Sequence, residues 1–186
     1  MFRVVFICTG NRARSATAQE AFRRLTTDLP VEVTSAGTLE LGAKPALPEA
    51  VTAARRIGLD LDEHLSRHLT EADLGGADLV IGFEIAHVAA AVVEGGADVS
   101  RTFTIREFLR LLSGAPPVEP EADLEARARA VVQMAHNQRK KGPNFVPGED
   151  LDDPLGRGSE YFDSVAETIE ALSRRMFVEL FTPKGA

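Results

Sequence analysis

The stretch from Cys8 to Ser15, which reads CTGNRARS, places a thiol and a guanidinium near each other, since five residues separate Cys8 from Arg14. A loop of that length can curl so that its backbone N–H groups surround a tetrahedral oxyanion, with the arginine fork on two oxygens and the sulfur beneath the central atom. The same donors favour the thiolate form of a cysteine, which is the nucleophilic form. The spacing therefore predicts an anion cradle with Cys8 as a nucleophile.

The flanking sequence indicates that this stretch connects a strand to a helix. Residues 2–7 form an apolar run, rich in β-branched side chains, that suits a buried parallel strand, and the apolar positions of residues 16–25 recur at helical spacing. Backbone N–H groups at the start of a helix have no partner within it and, together with the helix dipole, favour an anion. The predicted connection therefore suits the predicted chemistry.

Composition and charge exclude several other classes of protein. A chain of 186 residues that is 44% hydrophobic and 26% charged is typical of one soluble globular domain, and its apolar runs are too short to cross a bilayer. The formal net charge of −7 argues against nucleic-acid binding. Cys8 is the only cysteine, which excludes internal disulfides and suits a reducing compartment. With no signal peptide pattern, we expect a cytoplasmic protein without nucleic-acid or membrane partners.

Strands and helices are predicted to alternate along the rest of the first 113 residues. The strands are expected at 31–36, 78–83 and 101–104, and the helices at 49–57, 85–93 and 105–112. With right-handed crossovers, this alternation predicts an α/β, doubly wound, four-stranded parallel sheet in the order 2-1-3-4, with helices on both faces. Ser35 would then end its strand close to the anion cradle. A short helix capped by Thr70 and a last helix at 160–181 complete the prediction.

The stretch at residues 8–15, hereafter the phosphate loop, resembles that of the low-molecular-weight protein tyrosine phosphatases, in particular their bacterial branch, and of the related arsenate reductases. Three features differ from the family pattern: Arg12 follows Asn11, Ala13 replaces a second cysteine of most members, and Ala16 replaces a proline. The resemblance implies that the phosphate-binding residues are Thr9, Gly10, Asn11, Arg12, Ala13, Arg14 and Ser15.

The pair Asp153-Pro154 matches the Asp-Pro loop that carries the general acid in this family. Cleavage of a phosphoester needs a proton for the leaving oxygen, and a nearby carboxylic acid is the usual donor. We therefore assign the acid to Asp153, with Asp152 beside it as a like charge. The catalytic residues implied by the resemblance are Cys8, Arg14 and Asp153.

Further polar residues match family positions that form a hydrogen-bonded network behind the phosphate loop; they are Asn11, Ser15, Ser35 and His64. A loop with many N–H groups aimed at one point is strained, and side-chain hydrogen bonds must hold its shape. Ser15 is also expected to donate to the Cys8 sulfur. Glu84 would reach the rim of the site.

The remaining histidines, His68, His87 and His136, lack the cysteine or carboxylate spacing of a metal site, and we interpret them as surface or structural residues. No metal or other cofactor is expected.

The resemblance implies a phosphomonoester hydrolase that acts through a phosphocysteine intermediate on a phosphorylated protein, through phosphotyrosine, or on another small aryl phosphate. Family members often have aromatic residues where this chain has Leu39, Leu41 and Leu155. One alternative is an arsenate reductase, which would need an external small thiol because the chain has no second cysteine. Another is a protein-arginine phosphatase, although the charge of Arg12 would repel a guanidinium substrate. A catalytically idle phosphate binder is a third. The sequence does not indicate an oligomeric state.

We expect a single phosphatase domain over residues 1–186, with an inserted or extended segment at about 113–148, where family members are usually shorter. This segment opens with prolines and then becomes rich in alanine and charge between 121 and 139, which predicts a helix flanked by loops. Such a helix could be a lid or docking element, but a solvated surface helix is the favoured interpretation.

Overall fold

The computed structural model describes residues 1–113, 115, 123–139 and 146–182. Four parallel strands form one sheet in these residues, in the order β2-β1-β3-β4. The strands are β1 (Phe2–Cys8), β2 (Val31–Gly37), β3 (Leu79–Gly82) and β4 (Thr102–Thr104). The predicted fold class and strand order are therefore confirmed.

A helix follows each strand, as predicted, and two more helices follow the sheet in the described residues. The helices are α1 (Arg14–Leu25), α2 (Pro48–Arg56), α3 (Ile85–Val93), α4 (Ile105–Ser113), α5 (Leu124–Gln138) and α6 (Ser159–Phe181), and short 3₁₀ helices occur at Leu69–Glu71 and Val99–Arg101. The first 3₁₀ helix begins before Thr70, so the predicted cap is wrong: His68 is the N-cap, and its Nδ1 accepts the Thr70 N–H at 3.4 Å. No helix in the described part of the chain is both long and apolar enough to span a membrane.

Alternate side chains of β1 enter the cores on opposite faces of the sheet. Phe2, Val4 and Phe6 pack with α1, α4, α5 and α6, whereas Val5 and Ile7 pack on the other face with α3 and the first 3₁₀ helix. This pattern follows from the period of two in a β-strand that is buried on both faces. Burial on both sides fixes the strand that leads into the phosphate loop.

Helix α5 packs one face into the core of the protein. It is therefore neither the solvated surface helix favoured from the sequence nor a lid. Ala128, Val131, Val132 and Ala135 are buried in the same core as β1, and the helix contacts α4 and α6. These four positions have the spacing i, i+3, i+4 and i+7, which places them on one helical face. The flanking residues 114, 116–122 and 140–145 of the predicted insertion lie outside the described residues.

Gly37 lets the phosphate loop lie directly against the end of β2. Cys8 and Gly37 are paired across the two strands, so the segments that follow them begin side by side. A Cβ atom on Gly37 would lie 2.9 Å from both the Asn11 nitrogen and the Thr9 carbonyl oxygen. Any side chain at this position would therefore displace the loop.

Candidate active site

The phosphate loop runs from the last residue of β1, Cys8, to the first residue of α1, Arg14. Its backbone therefore lies at the N-terminal end of a helix, as the predicted chemistry requires. Asn11 has a φ of +52°, in the left-handed region that asparagine tolerates better than most residues. Backbone in this region needs support from its surroundings.

Side-chain hydrogen bonds from Asn11 supply much of that support. Asn11 is fully buried, and its Nδ2 donates to the Ser15 Oγ at 2.9 Å and to the Ser35 Oγ at 2.8 Å. Its Oδ1 accepts the backbone N–H of Arg67 at 3.0 Å. The Ser35 hydroxyl in turn donates to the Gln19 Oε1 at 2.7 Å. Three of the residues predicted for the supporting network are thus in direct contact.

His64 contacts the same loop from outside. Its Nε2 lies 2.7 Å from the backbone oxygen of Asn11, so this nitrogen carries a hydrogen and donates it. Burial lowers the pKa of His64 below its usual value, and the positive charge of Arg67 lowers it further. The hydrogen bond to the Asn11 backbone oxygen raises the pKa and offsets part of this effect. The fourth residue of the predicted network therefore holds the backbone at the strained position.

The Cys8 sulfur has Ser15 as its hydrogen-bond partner, with 3.0 Å between Sγ and Oγ. The Ser15 oxygen accepts from Asn11, so its own hydrogen remains available. The other acceptor within reach, the Ala36 carbonyl oxygen, is more distant at 3.5 Å. Ser15 is therefore placed where its hydroxyl can donate to the sulfur.

The Arg14 guanidinium is almost completely buried, with 1% of its side chain exposed, and it connects the phosphate loop to two carboxylates. Nη1 forms an ion pair with Glu84 and donates to the Leu151 carbonyl oxygen at 2.8 Å. Nη2 donates to the Asp153 Oδ2 at 2.5 Å and to the Thr9 Oγ1 at 3.2 Å. Arg14 and Asp153 are thus in direct contact, and Glu84, which was expected at the rim of the site, pairs with the buried Arg14.

Asp153 belongs to residues 146–158, hereafter the acid loop, which is attached to the end of β3. The Leu151 N–H donates to the Phe83 carbonyl oxygen at 2.7 Å, and Asp150 accepts the Ile85 N–H at 2.8 Å. The Asp153 Oδ1 accepts the Leu155 N–H at 2.9 Å, which orients the carboxylate.

Helix α4 holds the acid loop from its other side. Arg106 donates to the carbonyl oxygens of Gly148 at 2.9 Å and of Asp150 at 2.7 Å, and Arg110 forms an ion pair with Glu149. The Asp152 carboxylate, which is adjacent to Asp153 in the sequence, accepts from Arg157 at 3.2 Å and from the Tyr161 hydroxyl at 3.4 Å. The two neighbouring aspartates therefore face different partners.

A cavity of about 230 Å³ opens above the phosphate loop. Its lining residues are Cys8, Thr9, Gly10, Arg12, Ala13, Arg14, Leu39, Leu41, Leu47, Asp153 and Leu155. The walls are aliphatic, as predicted, and the exposed leucines of the 38–46 loop and the acid loop form its rim. Arg12 is fixed there by a hydrogen bond from its Nε to the Pro45 carbonyl oxygen at 2.7 Å. A substrate that enters the cavity must therefore pass the Arg12 guanidinium and the leucine side chains of the rim.

His87 contacts the site in a way that the sequence interpretation missed. It is 2% exposed, its Nδ1 accepts the Glu84 N–H at 3.0 Å, and its Nε2 lies 3.0 Å from the Thr9 Oγ1. Burial lowers the pKa of His87 to about 4, and the positive charge of Arg14 adds to this effect. The sequence feature that could have indicated this contact is the position of His87 in the first turn of α3, the helix that follows β3. That turn lies at the edge of the sheet where β1 also ends.

The sequence profile of the family described as low molecular weight phosphotyrosine protein phosphatase matches residues 3–116. The chain belongs to this family. A low molecular weight protein-tyrosine-phosphatase of Streptomyces coelicolor is 30% identical over 181 residues, which cover 92% of this chain and 89% of the relative. A protein-arginine-phosphatase of Bacillus subtilis is 32% identical over 108 residues, covering 57% of this chain and 71% of the relative.

Structural comparison agrees with this membership. The crystal structure of a low molecular weight protein tyrosine phosphatase from T. tengcongensis superimposes with a TM-score of 0.71 and 27% identity, covering 97% of this chain and 100% of that one. The family match includes the phosphate loop, Ser35 and His64 but ends before Asp153. For this phosphatase family member, the role of Asp153 therefore depends on its contact with Arg14 and on the Asp-Pro motif.

Proposed function

We propose that this phosphatase family member hydrolyses phosphomonoesters through a phosphocysteine intermediate on Cys8, and that its substrate is protein phosphotyrosine or another aryl phosphate. The observation that carries the proposal is the meeting of a thiol, a buried guanidinium and a carboxylate at one cavity. Phosphate binding is assigned to the loop residues 9–15, and Asn11, Ser15, Ser35 and His64 support the loop. Because α5 shares the core of β1, we also propose that residues 1–186 form one phosphatase domain.

The proposed reaction has two displacement steps. The Cys8 thiolate attacks phosphorus in line with the leaving oxygen, while Arg14 and the loop N–H groups hold the equatorial oxygens. The S–P bond forms as the P–O bond to the leaving group breaks, and Asp153 gives its proton to the leaving oxygen. Asp153 then takes a proton from water, which attacks the phosphocysteine, and inorganic phosphate leaves as the thiolate re-forms. The Ser15 hydroxyl stabilises that thiolate.

The cavity mouth favours an aryl phosphate over the substrate of the arginine phosphatase relative. The aliphatic walls can pack against a phenyl ring, whereas Arg12 places a positive charge where a phosphoarginine would carry its own guanidinium. Arsenate reduction is a second chemistry for the same thiolate, but the chain has one cysteine and would need an external thiol to release the product. A thiol enzyme of this kind suits a reducing compartment, so we propose a cytoplasmic location.

The decisive experiment compares Cys8→Ser with the wild-type protein on phosphotyrosine peptides, phosphoserine peptides, phosphoarginine peptides and arsenate. We expect hydrolysis of phosphotyrosine by the wild type, no turnover by Cys8→Ser, and retention of phosphate binding by the variant because the loop donors remain. Substantial activity of Cys8→Ser would refute the covalent mechanism. Faster arsenate reduction than hydrolysis, in the presence of a small thiol, would favour the reductase.

The role of Asp153 is tested with aryl phosphates whose leaving groups differ in basicity. Asp153→Ala should slow hydrolysis most for the most basic leaving groups, since these need the proton most. Asp152→Ala is the matched control, because this neighbouring carboxylate contacts Arg157 and Tyr161 instead. An equal loss of rate for every leaving group in Asp153→Ala would assign the acid to another residue.

A further inference from the structure

The hydrogen bonds around His87 fix which ring nitrogen carries the hydrogen. A backbone N–H can only donate, so the bond from the Glu84 N–H makes Nδ1 of His87 an acceptor. In the neutral ring the hydrogen is then on Nε2, and this N–H donates to the Thr9 Oγ1 at 3.0 Å. The lowered pKa of His87, about 4, agrees with a ring that stays neutral near pH 7.

The Thr9 hydroxyl oxygen therefore accepts two hydrogen bonds. One comes from His87 and the other from the Arg14 Nη2 at 3.2 Å. A hydroxyl has two acceptor positions and a single hydrogen, so both acceptor positions are in use and only the hydrogen remains. No acceptor for this hydrogen occurs among the residues that the structure describes, and Thr9 lines the cavity above the phosphate loop.

We propose that the Thr9 hydroxyl is an additional hydrogen-bond donor to the oxyanion in the phosphate loop, and that His87 is a positioning residue that directs this donation. The inference rests on the proposed function, because it places the phosphoryl group in the same cavity. It adds a side-chain donor to the backbone donors of the loop. It also gives the buried histidine a role in binding that acts through Thr9.

Direct titration of inorganic phosphate into the full chain by calorimetry tests the role of Thr9 without depending on turnover. Thr9→Val should weaken phosphate binding about tenfold, the usual loss for one hydrogen bond to a charged group, and Thr9→Ser should stay close to the wild type. Thr102→Val is the matched control, since its buried hydroxyl donates to the Asp98 carbonyl oxygen in another part of the sheet. Phosphate affinity should be unchanged in this control.

The positioning role of His87 is tested by a double-mutant cycle. His87→Leu removes the donor to Thr9 and should weaken phosphate binding several-fold, while His87→Gln, whose side-chain amide can still donate, should retain most of the affinity. In a Thr9→Val background, His87→Leu should have no further effect, because His87 acts through the hydroxyl.

Two results would overturn the inference. The first is a wild-type affinity for phosphate in Thr9→Val, and the second is an additive loss in the double variant Thr9→Val, His87→Leu. Thermal unfolding of each variant verifies that it is folded, and the Thr9→Val result stands alone if His87→Leu does not fold. Failure of the wild type to bind phosphate at all would refute the proposed function together with this inference, whereas the two results above leave the proposed function intact.

Discussion

Acidification from about pH 8 to about pH 5 should destabilise the folded protein by about 2 kcal/mol through His87 alone. The imidazole titrates near pH 6.5 in an unfolded chain, but the pKa of His87 is lowered to about 4 in the folded protein. Between these values the unfolded state binds a proton that the folded state does not, so the free energy of unfolding falls as the pH falls. About 1.5 pH units of this window lie above pH 5, and each is worth about 1.4 kcal/mol.

The geometry explains why the folded state resists this proton. Protonation would place a hydrogen on Nδ1, facing the Glu84 N–H that now donates to it. The added charge would also lie near Arg14 in a buried environment, and Asp153 and Asp150 offset only part of this repulsion. The pKa of His64 is lowered as well, so His64 adds to the loss of stability with the same sign.

Urea unfolding at several pH values between 4.5 and 8 measures this effect, and His87→Gln supplies the comparison. The variant has no titrating group at this position, so the difference in unfolding free energy between wild type and variant should shift by about 2 kcal/mol between pH 8 and pH 5. Other titrating groups, including His64, cancel in this difference. A constant difference across the pH range would refute the assignment of a neutral, buried His87.

Three further predictions concern the loop and the mouth of the cavity. Ser35→Ala leaves the fully buried Asn11 amide without one of its acceptors and should lower the free energy of unfolding by about 1–3 kcal/mol; unchanged urea unfolding would contradict this. Arg12→Gln removes the cation at the mouth and should raise kcat/KM for phosphoarginine peptides relative to phosphotyrosine peptides; an unchanged ratio would show that Arg12 does not set this preference. Peroxide should inactivate the enzyme with poor recovery, because Cys8 has no second cysteine with which to form a protective disulfide; full recovery with thioredoxin alone would contradict this.

Local signals in the sequence predicted the sheet and the phosphate loop. The strands are short runs of β-branched and apolar residues closed by glycines or polar turns, and Ser35 needed only the parallel pairing of two neighbouring strands to approach the loop. The contact between Asp153 and Arg14 could be predicted for a different reason. It joins residues 139 positions apart, and only the Asp-Pro resemblance indicated it.

The missed features depend on how whole elements pack. Helix α5 was interpreted from its charge and alanine content, although Ala128 and Val131 already belong to an apolar face with helical spacing. The contact of His87 with Thr9 depends on the exact position at which α3 begins beside the phosphate loop, which neither periodicity nor propensity determines. A histidine five residues beyond the end of a strand indicates a site only when its partner at the same edge of the sheet, Thr9, is known.

Arg14 connects these features because its two carboxylate partners contact different nitrogens of the guanidinium. A buried guanidinium needs opposite charge, and Glu84 and Asp153 together supply it. On Nη1, Glu84 and the Leu151 carbonyl oxygen can keep the fork oriented. Nη2 donates to the Asp153 Oδ2 and to the Thr9 Oγ1, so under the proposed function a phosphoryl oxygen that also keeps the Thr9 contact would compete with Asp153 for the other N–H. Under the proposed function, this competition would release the Asp153 carboxyl group from Arg14 and leave it available to protonate the leaving oxygen.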